Sequence, residues 1–274
     1  MSKRDALIIG AGPAGLATAR ALSRRSLDYT HVERHTGVGG LWDIENPGSP
    51  MYTSAHFISS RALSGFSGFP MPQDYPDYPN HRQILRYLRD FADHEGLTPR
   101  ITFATTVTAI DRLEDGDWRA TYADGSTSEH TAVIICSGVQ WDPLIPELPG
   151  TFTGEVRHSQ TYTSPSEFAG RRVLVVGGGN SGCDIACDAA RSAESASISM
   201  RRGYWFIPKH IFGMPSDVFA ENGPSLPMWL EQRVFGAILR LLNGDPRRLG
   251  LQKPDHRLFE THPVLNSQLL HHLQ

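Results

Sequence analysis

The chain repeats one rhythm: a short apolar run, a glycine turn, then an amphipathic stretch. Ala6 to Ile9 are apolar throughout, the pattern of a parallel strand buried on both faces. "GAGPAG" at 10–15 follows. Next comes a helix-length stretch whose small residues Ala14, Gly15, Ala17, Ala19 and Ala21 suit close packing on a sheet. "DYTHVE" at 28–33 predicts the next strand. Residues 43–80 lose this periodicity, and "PMPQDYPDYPNH" can form neither regular helix nor central strand. Helical spacing returns at 81–96, where Ile84, Leu85, Leu88 and Phe91 share a stripe and Gly96 is a stop. "ITFATTVTAI", "DWRATYA" and "TAVIICSG" within 101–138 predict strands, with turns at "EDGD" and "ADGS".

The proline-rich "WDPLIPELPG" at 141–150 sets the expected domain boundary, giving domains 1–150 and 151–274. The rhythm then repeats, with an apolar run at 173–176, "GGGNSG" at 177–182, a helix to 193 and the strand "ASISMRR" at 196–202. Beyond it the pattern is irregular apart from a helix over 228–242, whose apolar stripe reads as core rather than membrane anchor. The expected fold class is α/β, with two dinucleotide-binding, Rossmann-like domains.

Composition narrows the partners. With 39% hydrophobic and 20% charged residues the chain is of globular type, and a net charge of −3 gives no electrostatic reason to expect nucleic acid. No run of 18 apolar residues occurs, so no transmembrane segment is expected. The N-terminus runs straight into the first expected strand, so no signal peptide is expected. Three cysteines make no disulfide framework, and a cytoplasmic location is the simplest expectation. Cys183 and Cys187 are spaced C-x-x-x-C, not C-x-x-C, and read as helix packing rather than a redox dithiol. The histidines form no ligand pattern, so no metal is expected.

The two glycine turns carry the chemistry. In G-x-G-x-x-G the first glycine permits the turn, the second admits the pyrophosphate and the third lets helix pack on strand. Gly10, Gly12 and Gly15 hold those places in the first turn, and Gly177, Gly179 and Gly182 in the second. Phosphates bound there would lie on a helix N-terminus. Glu33, 23 residues after Gly10, stands where an acid can bind both ribose hydroxyls of an adenosine. The same count from Gly177 reaches Met200, and Arg201 and Arg202 follow. A guanidinium there binds a 2′-phosphate that an acid would repel. The first turn therefore fits FAD and the second NADPH. Asn180 and Ser181 add polar side chains to the second. "HTGVGGLW" at 35–42 brings glycines and Trp42 close behind the first; from the residues alone, Trp42 either packs on a planar ring or buries itself.

"FTGEVRHSQTY" at 152–162 matches F-x-G-x-x-x-H-x-x-x-Y through Phe152, Gly154, His158 and Tyr162. At this point the chain resembles the class B flavin-dependent monooxygenases, in the flavin-containing monooxygenase branch. "GGLW" at 39–42, "ICSG" at 135–138, "SMRRG" at 199–203 and "KPDHRLFETHPVLNS" at 253–267 carry the resemblance along essentially the whole chain. It implies an NADPH- and FAD-dependent monooxygenase in which reduced flavin captures O2 as a C4a-hydroperoxyflavin. A nucleophilic nitrogen or sulfur of a small-molecule substrate then takes the distal oxygen; Tyr162, where Baeyer–Villiger relatives have Trp, favours that branch. His158, Tyr162 and His56 are the candidate catalytic residues. The candidate cofactor-binding set is Gly10, Gly12, Pro13, Ala14, Gly15, Glu33, Arg34, Gly40, Leu41, Trp42, Val107, Gly177, Gly179, Asn180, Ser181, Gly182, Arg201 and Arg202. A homo-oligomeric assembly is left open.

Two departures qualify the resemblance. In "YTSAHFISSR", 52–61, Ile58 falls where the family often has an Asn near the flavin, and Arg61 where it has a Lys. This favours leakage to hydrogen peroxide and keeps an NADPH:flavin oxidase or reductase as an alternative. The second domain also offers only two clear parallel strands, leaving an unpaired edge and uncovered apolar faces. The chain is accordingly expected to be a fragment of a longer protein; completion by a partner segment, or a non-catalytic nucleotide-binding role, are the alternatives.

Overall fold

The computed structural model describes residues 6–147 and 149–273; the first five residues, Leu148 of the proline-rich linker and the last residue, Gln274, lie outside them. The chain divides into two compact units: Met1–Tyr52, Phe66–Pro70 and Asn80–Tyr162 form the first, and Thr53–Gly65, Met71–Pro79 and Thr163–Gln274 the second. The partition follows packing rather than the linker expected to set it at 150. Residues 151–162 go with the first unit and two stretches of the irregular region with the second. Local bonds show why: Ser54 donates its hydroxyl to Asp188, and Ser60 N–H donates to Asp217 Oδ2 at 2.6 Å.

The first unit begins with β1 (Ala6–Ile9), α1 (Pro13–Ser23) and β2 (Tyr29–Val32). Leu7 and Ile8 are fully buried, as an apolar run in a central strand requires. Pro13 opens α1 at a position where no helical N–H partner is needed. Next is α2 (His81–His94), started by a reciprocal cap in which Asn80 and Gln83 each accept the other's backbone N–H at 3.0 Å. Ile84, Leu88 and Phe91 are buried along its apolar stripe, and the chain leaves at Gly96 with φ +63°.

The strands β3 (Ile101–Thr102), β4 (Val107–Arg112), β5 (Trp118–Tyr122), β6 (Thr127–His130) and β7 (Val133–Ile135) complete the first unit. A parallel sheet runs β3-β2-β1-β7, and an antiparallel one β4-β5-β6. "ITFATTVTAI" reads as one strand but is two: Ala104 at φ +52° breaks it, and its halves join different sheets. β6, with sequence TSEH, has no apolar alternation to announce it; backbone pairing with β5 makes it a strand.

In the second unit β8 (Arg172–Val176) and β9 (Ser195–Ser199) pair in parallel around α3 (Asn180–Ser192). Short strands follow: β10 (Phe206–Ile207), then β11 (His210–Ile211) and β12 (Met214–Pro215), a tight hairpin. The remaining elements are α4 (Ser216–Glu221), α5 (Met228–Asn243), β13 (Val264–Leu265), which pairs with β10, and α6 (Leu269–His272). Cys183, Ala186 and Cys187 of α3 pack with Phe206, Val264, Leu269 and Leu270 in one core. On β8, Leu174 and Val176 are about three-fifths exposed, at 62% and 61%, the uncovered face the short sheet leaves. The stripe of α5 enters the core only partly: Leu239 and Gly236 are buried while Trp229 and Leu241 are exposed. Among the described residues, no helix is long and apolar enough to cross a membrane.

Candidate functional site

The first turn is built by glycines of two kinds. Gly10 sits at φ +107°, and a Cβ there would come 2.4 Å from Cys136 O. A Cβ on Gly15 would lie 1.8 Å from Gly10 O. These two serve the fold. Gly12 differs: its φ is −80°, and a Cβ would meet only Gly40 Cα at an ordinary 3.6 Å. The chain itself therefore does not require glycine at 12. The second turn repeats the division. Gly177 sits at φ +121°, and a Cβ on Gly182 would come 2.4 Å from Gly177 O. Gly179 has φ −76° and nothing within 4 Å of where its Cβ would be.

Beneath the first turn, His31 is buried and its Nε2 bonds Gly10 O at 2.9 Å. A carbonyl can only accept, so Nε2 carries the proton, and Nδ1 is left buried without a hydrogen-bond partner. Burial pushes the ring's pKa below the usual 6.5, against the opposing pull of the Gly10 bond and the Glu33 charge. Glu33 is buried just past the end of β2. Its Oε2 accepts Ala11 N–H at 2.5 Å and its Oε1 accepts His35 N–H at 2.8 Å. A carboxylate has about four acceptor positions, so each oxygen keeps capacity for a sugar hydroxyl.

Gly40, Leu41 and Trp42 form a short 3-10 turn against the cradle. A Cβ on Gly40, whose φ is +58°, would press to 3.0 Å from Gly12 Cα. Sequence reading missed what holds this turn. Asp43, which ends it, is buried; its Oδ2 accepts Arg89 Nη2 at 2.8 Å and pairs with His35 Nε2 at 3.3 Å. Arg89 also reaches Val38 O through Nε at 3.4 Å, so one guanidinium of α2 grips the segment on both sides of its glycines. Asn46 Nδ2 donates to Gly40 O at 3.1 Å. The available signal was Asp43 directly after the glycine-Leu-Trp run; Arg89 lies on the polar side of α2 and carries none.

The remaining candidates have varied settings. Pro13 and Ala14 open α1. Arg34 is exposed and lies over the Trp141 ring, 4.1 Å from its centre. Val107 packs beside Leu7, Val32 and Ala120. His158 accepts Gln160 N–H on Nδ1 at 3.2 Å, capping a short turn. Tyr162 is 2% exposed and its ring meets Tyr52 at 5.5 Å, a packing role inside the first unit. His56 belongs to the second unit, with Nδ1 3.0 Å from Ser54 O. Asn180 lends its Oδ1 to Leu265 N–H at 2.9 Å, and Ser181 is exposed. Arg201 is exposed; Arg202 is half-buried near the Tyr204 ring, with its Nε lacking a partner. Ile58 is 48% exposed. Burial pushes the Cys183 and Cys187 thiols up to about 12 and about 11, which leaves them inert as nucleophiles.

The fold and its paired glycine turns define an α/β protein with two dinucleotide-binding units. The flavin-binding monooxygenase-like family model matches residues 2–269. The chain is 35% identical to flavin-containing monooxygenase 1 of Oryctolagus cuniculus over 296 residues, covering 98% of this chain and 54% of that protein. A flavin-containing monooxygenase structure from Stenotrophomonas maltophilia is similar at 28% identity and a TM-score of 0.69, covering 86% of this chain and 68% of that one. S-allyl-L-cysteine S-oxygenase from Allium sativum is similar at 29% identity and a TM-score of 0.67, covering 73% and 51%. The chain belongs to the flavin-binding monooxygenase-like family, whose members use FAD and NADPH. It spans about half the length of the curated relatives it matches.

Proposed function

We propose that the chain provides the FAD- and NADPH-binding parts of a monooxygenase that oxygenates a nucleophilic nitrogen or sulfur of a small molecule, with O2 as co-substrate. The carrying observation is the pair Gly12 and Gly179. Neither has a backbone angle or a neighbour that demands glycine, and each occupies the position where a pyrophosphate approaches the backbone. FAD, when bound, supplies the redox and oxygen-activating chemistry, and NADPH the reducing equivalents.

The chain's residues bind, orient and shield. Gly12 and the α1 N-terminus would take the FAD pyrophosphate, with Glu33 accepting the ribose hydroxyls. Gly40, Leu41 and Trp42 would lie along the flavin. Gly179, Asn180 and Ser181 would take the NADPH pyrophosphate, and Arg201 with Arg202 its 2′-phosphate. His158 and Tyr162 act as positioning residues: one caps a turn and the other is buried against Tyr52. A sulfur acceptor is in keeping with the S-oxygenase similarity.

The test is incubation of the protein with methyl phenyl sulfide, NADPH and 18O2. Sulfoxide carrying one labelled oxygen supports the reading; NADPH consumed with only peroxide formed favours the oxidase reading that Ile58 keeps in play.

A further inference from the structure

The chain carries 26 lysines and arginines, and three of them are lysine: Lys3, Lys209 and Lys253. Arginine holds its proton in any protein setting, whereas a lysine can shed it. Lys209 lies between β10 and β11, part-buried in the second unit.

Its main chain is fixed on both sides. Lys209 N–H donates to Ser267 Oγ at 2.8 Å. Its carbonyl accepts Ser216 N–H at 2.9 Å and the Tyr78 hydroxyl. Ser216 also donates its own hydroxyl to Pro208 O. Tyr78 is buried, so this frame is anchored in the interior of the unit. Lys209 Nζ lies 5.5 Å from the centre of the Tyr78 ring. The amine is thus set against a ring whose hydroxyl holds the same residue's backbone.

No carboxylate answers it. Among the described residues Lys209 enters no salt bridge, and the acids near Tyr78 are engaged elsewhere. Asp77 pairs with His210 Nε2 at 3.0 Å and lies 3.9 Å from Arg61. Asp217 accepts Ser60 N–H at 2.6 Å and Val218 N–H at 2.9 Å. His210 packs edge-on against the Tyr78 ring at 5.5 Å. Tyr78 itself stays protonated, since burial pushes its pKa up. A cation at Lys209 therefore loses water without gaining a counter-charge, and burial lowers its pKa to about 8. A position meant to hold a permanent charge would be served by arginine, the residue used at 23 of the 26 basic positions. A desolvated lysine is instead the usual form of a nucleophilic amine.

We propose that Lys209 is a nucleophilic site for small aldehydes, its amine set against the Tyr78 ring with no carboxylate in ion-pair reach. The nitrogen lone pair adds to the carbonyl carbon, and a proton passes from nitrogen to oxygen. Loss of water then leaves a carbon–nitrogen double bond, with no redox change. This chemistry needs neither FAD nor NADPH and stands whether or not the oxygenation reading holds.

Labelling of the purified full chain with limiting benzaldehyde and cyanoborohydride tests it. The hydride reagent reduces any imine to a stable amine, and peptide mass spectrometry locates it. Lys253 is exposed and is the internal reference. Lys209 should label at least about tenfold faster than Lys253 near about pH 7.4, with its half-maximal rate at a lower pH. Unfolding in urea should erase the difference. In Lys209→Met, saturable uptake should vanish while slow labelling of Lys253 persists. Equal rates at the two lysines, a preference that survives unfolding, or saturable uptake kept in Lys209→Met would each overturn the proposal. If the substitution impairs folding, the comparison of the two lysines in the parent protein decides alone.

Discussion

The Nε2 of His31 bonds the carbonyl oxygen of Gly10 at 2.9 Å, so the first glycine turn rests on a buried, neutral imidazole. Its pKa is held below 6.5 by burial. The unfolded chain therefore takes up this proton at a higher pH than the native one. Stability is fully present above 6.5 and declines as pH falls through the window beneath it. His81, pushed down by burial and then by Arg82, acts in the same direction. The cofactor-free protein should melt at a lower temperature at about pH 5 than at about pH 7.5, with His31→Gln reducing that difference. An unaltered slope in the variant would count against the assignment.

Two of the glycines should separate binding from folding. Gly179→Ala meets open space, so its stability cost should stay within about 1 kcal/mol while NADPH affinity falls clearly. Gly182→Ala drives a methyl to 2.4 Å from Gly177 O and should cost about 1–3 kcal/mol. Thermal melts beside NADPH titrations read both; equal destabilisation by the two changes would remove the argument that Gly179 serves a ligand.

Arg89 grips the segment carrying Gly40, Leu41 and Trp42 through Asp43 and Val38. Arg89→Met leaves the buried Asp43 carboxylate without its guanidinium, a loss of about 1–3 kcal/mol. The expected readout is faster FAD release with NADPH affinity retained. Unchanged FAD retention would mean the grip does not position the flavin segment.

Ile58 replaces a polar residue of the resembled motif and offers no hydrogen bond. Peroxide formed per NADPH should therefore be high in the parent protein and fall in Ile58→Asn. Near-complete coupling in the parent would refute the leakage argument.

Much of this was legible because local rules and global fold agree at the two turns. The apolar runs, the glycine spacing and Glu33 are all short-range signals. Ala104 was not legible: nothing in its neighbours marks the left-handed residue that sends two halves of an apolar stretch to different sheets. β6 was missed because its strand is imposed by β5 rather than by its own pattern. The Asp43–Arg89 pair spans 46 residues of sequence, beyond any periodicity. The partition of the chain depends on such distant bonds as Ser60 to Asp217, which no linker composition announces.

The most direct test of the account is an anaerobic absorption spectrum of the purified protein, loaded with FAD, before and after NADPH or NADH. A flavin band that bleaches with NADPH and much less with NADH is expected, with the difference lost when Arg201 and Arg202 are both changed to Gln. A protein that takes up no FAD, or one bleached equally by both nucleotides, would contradict it.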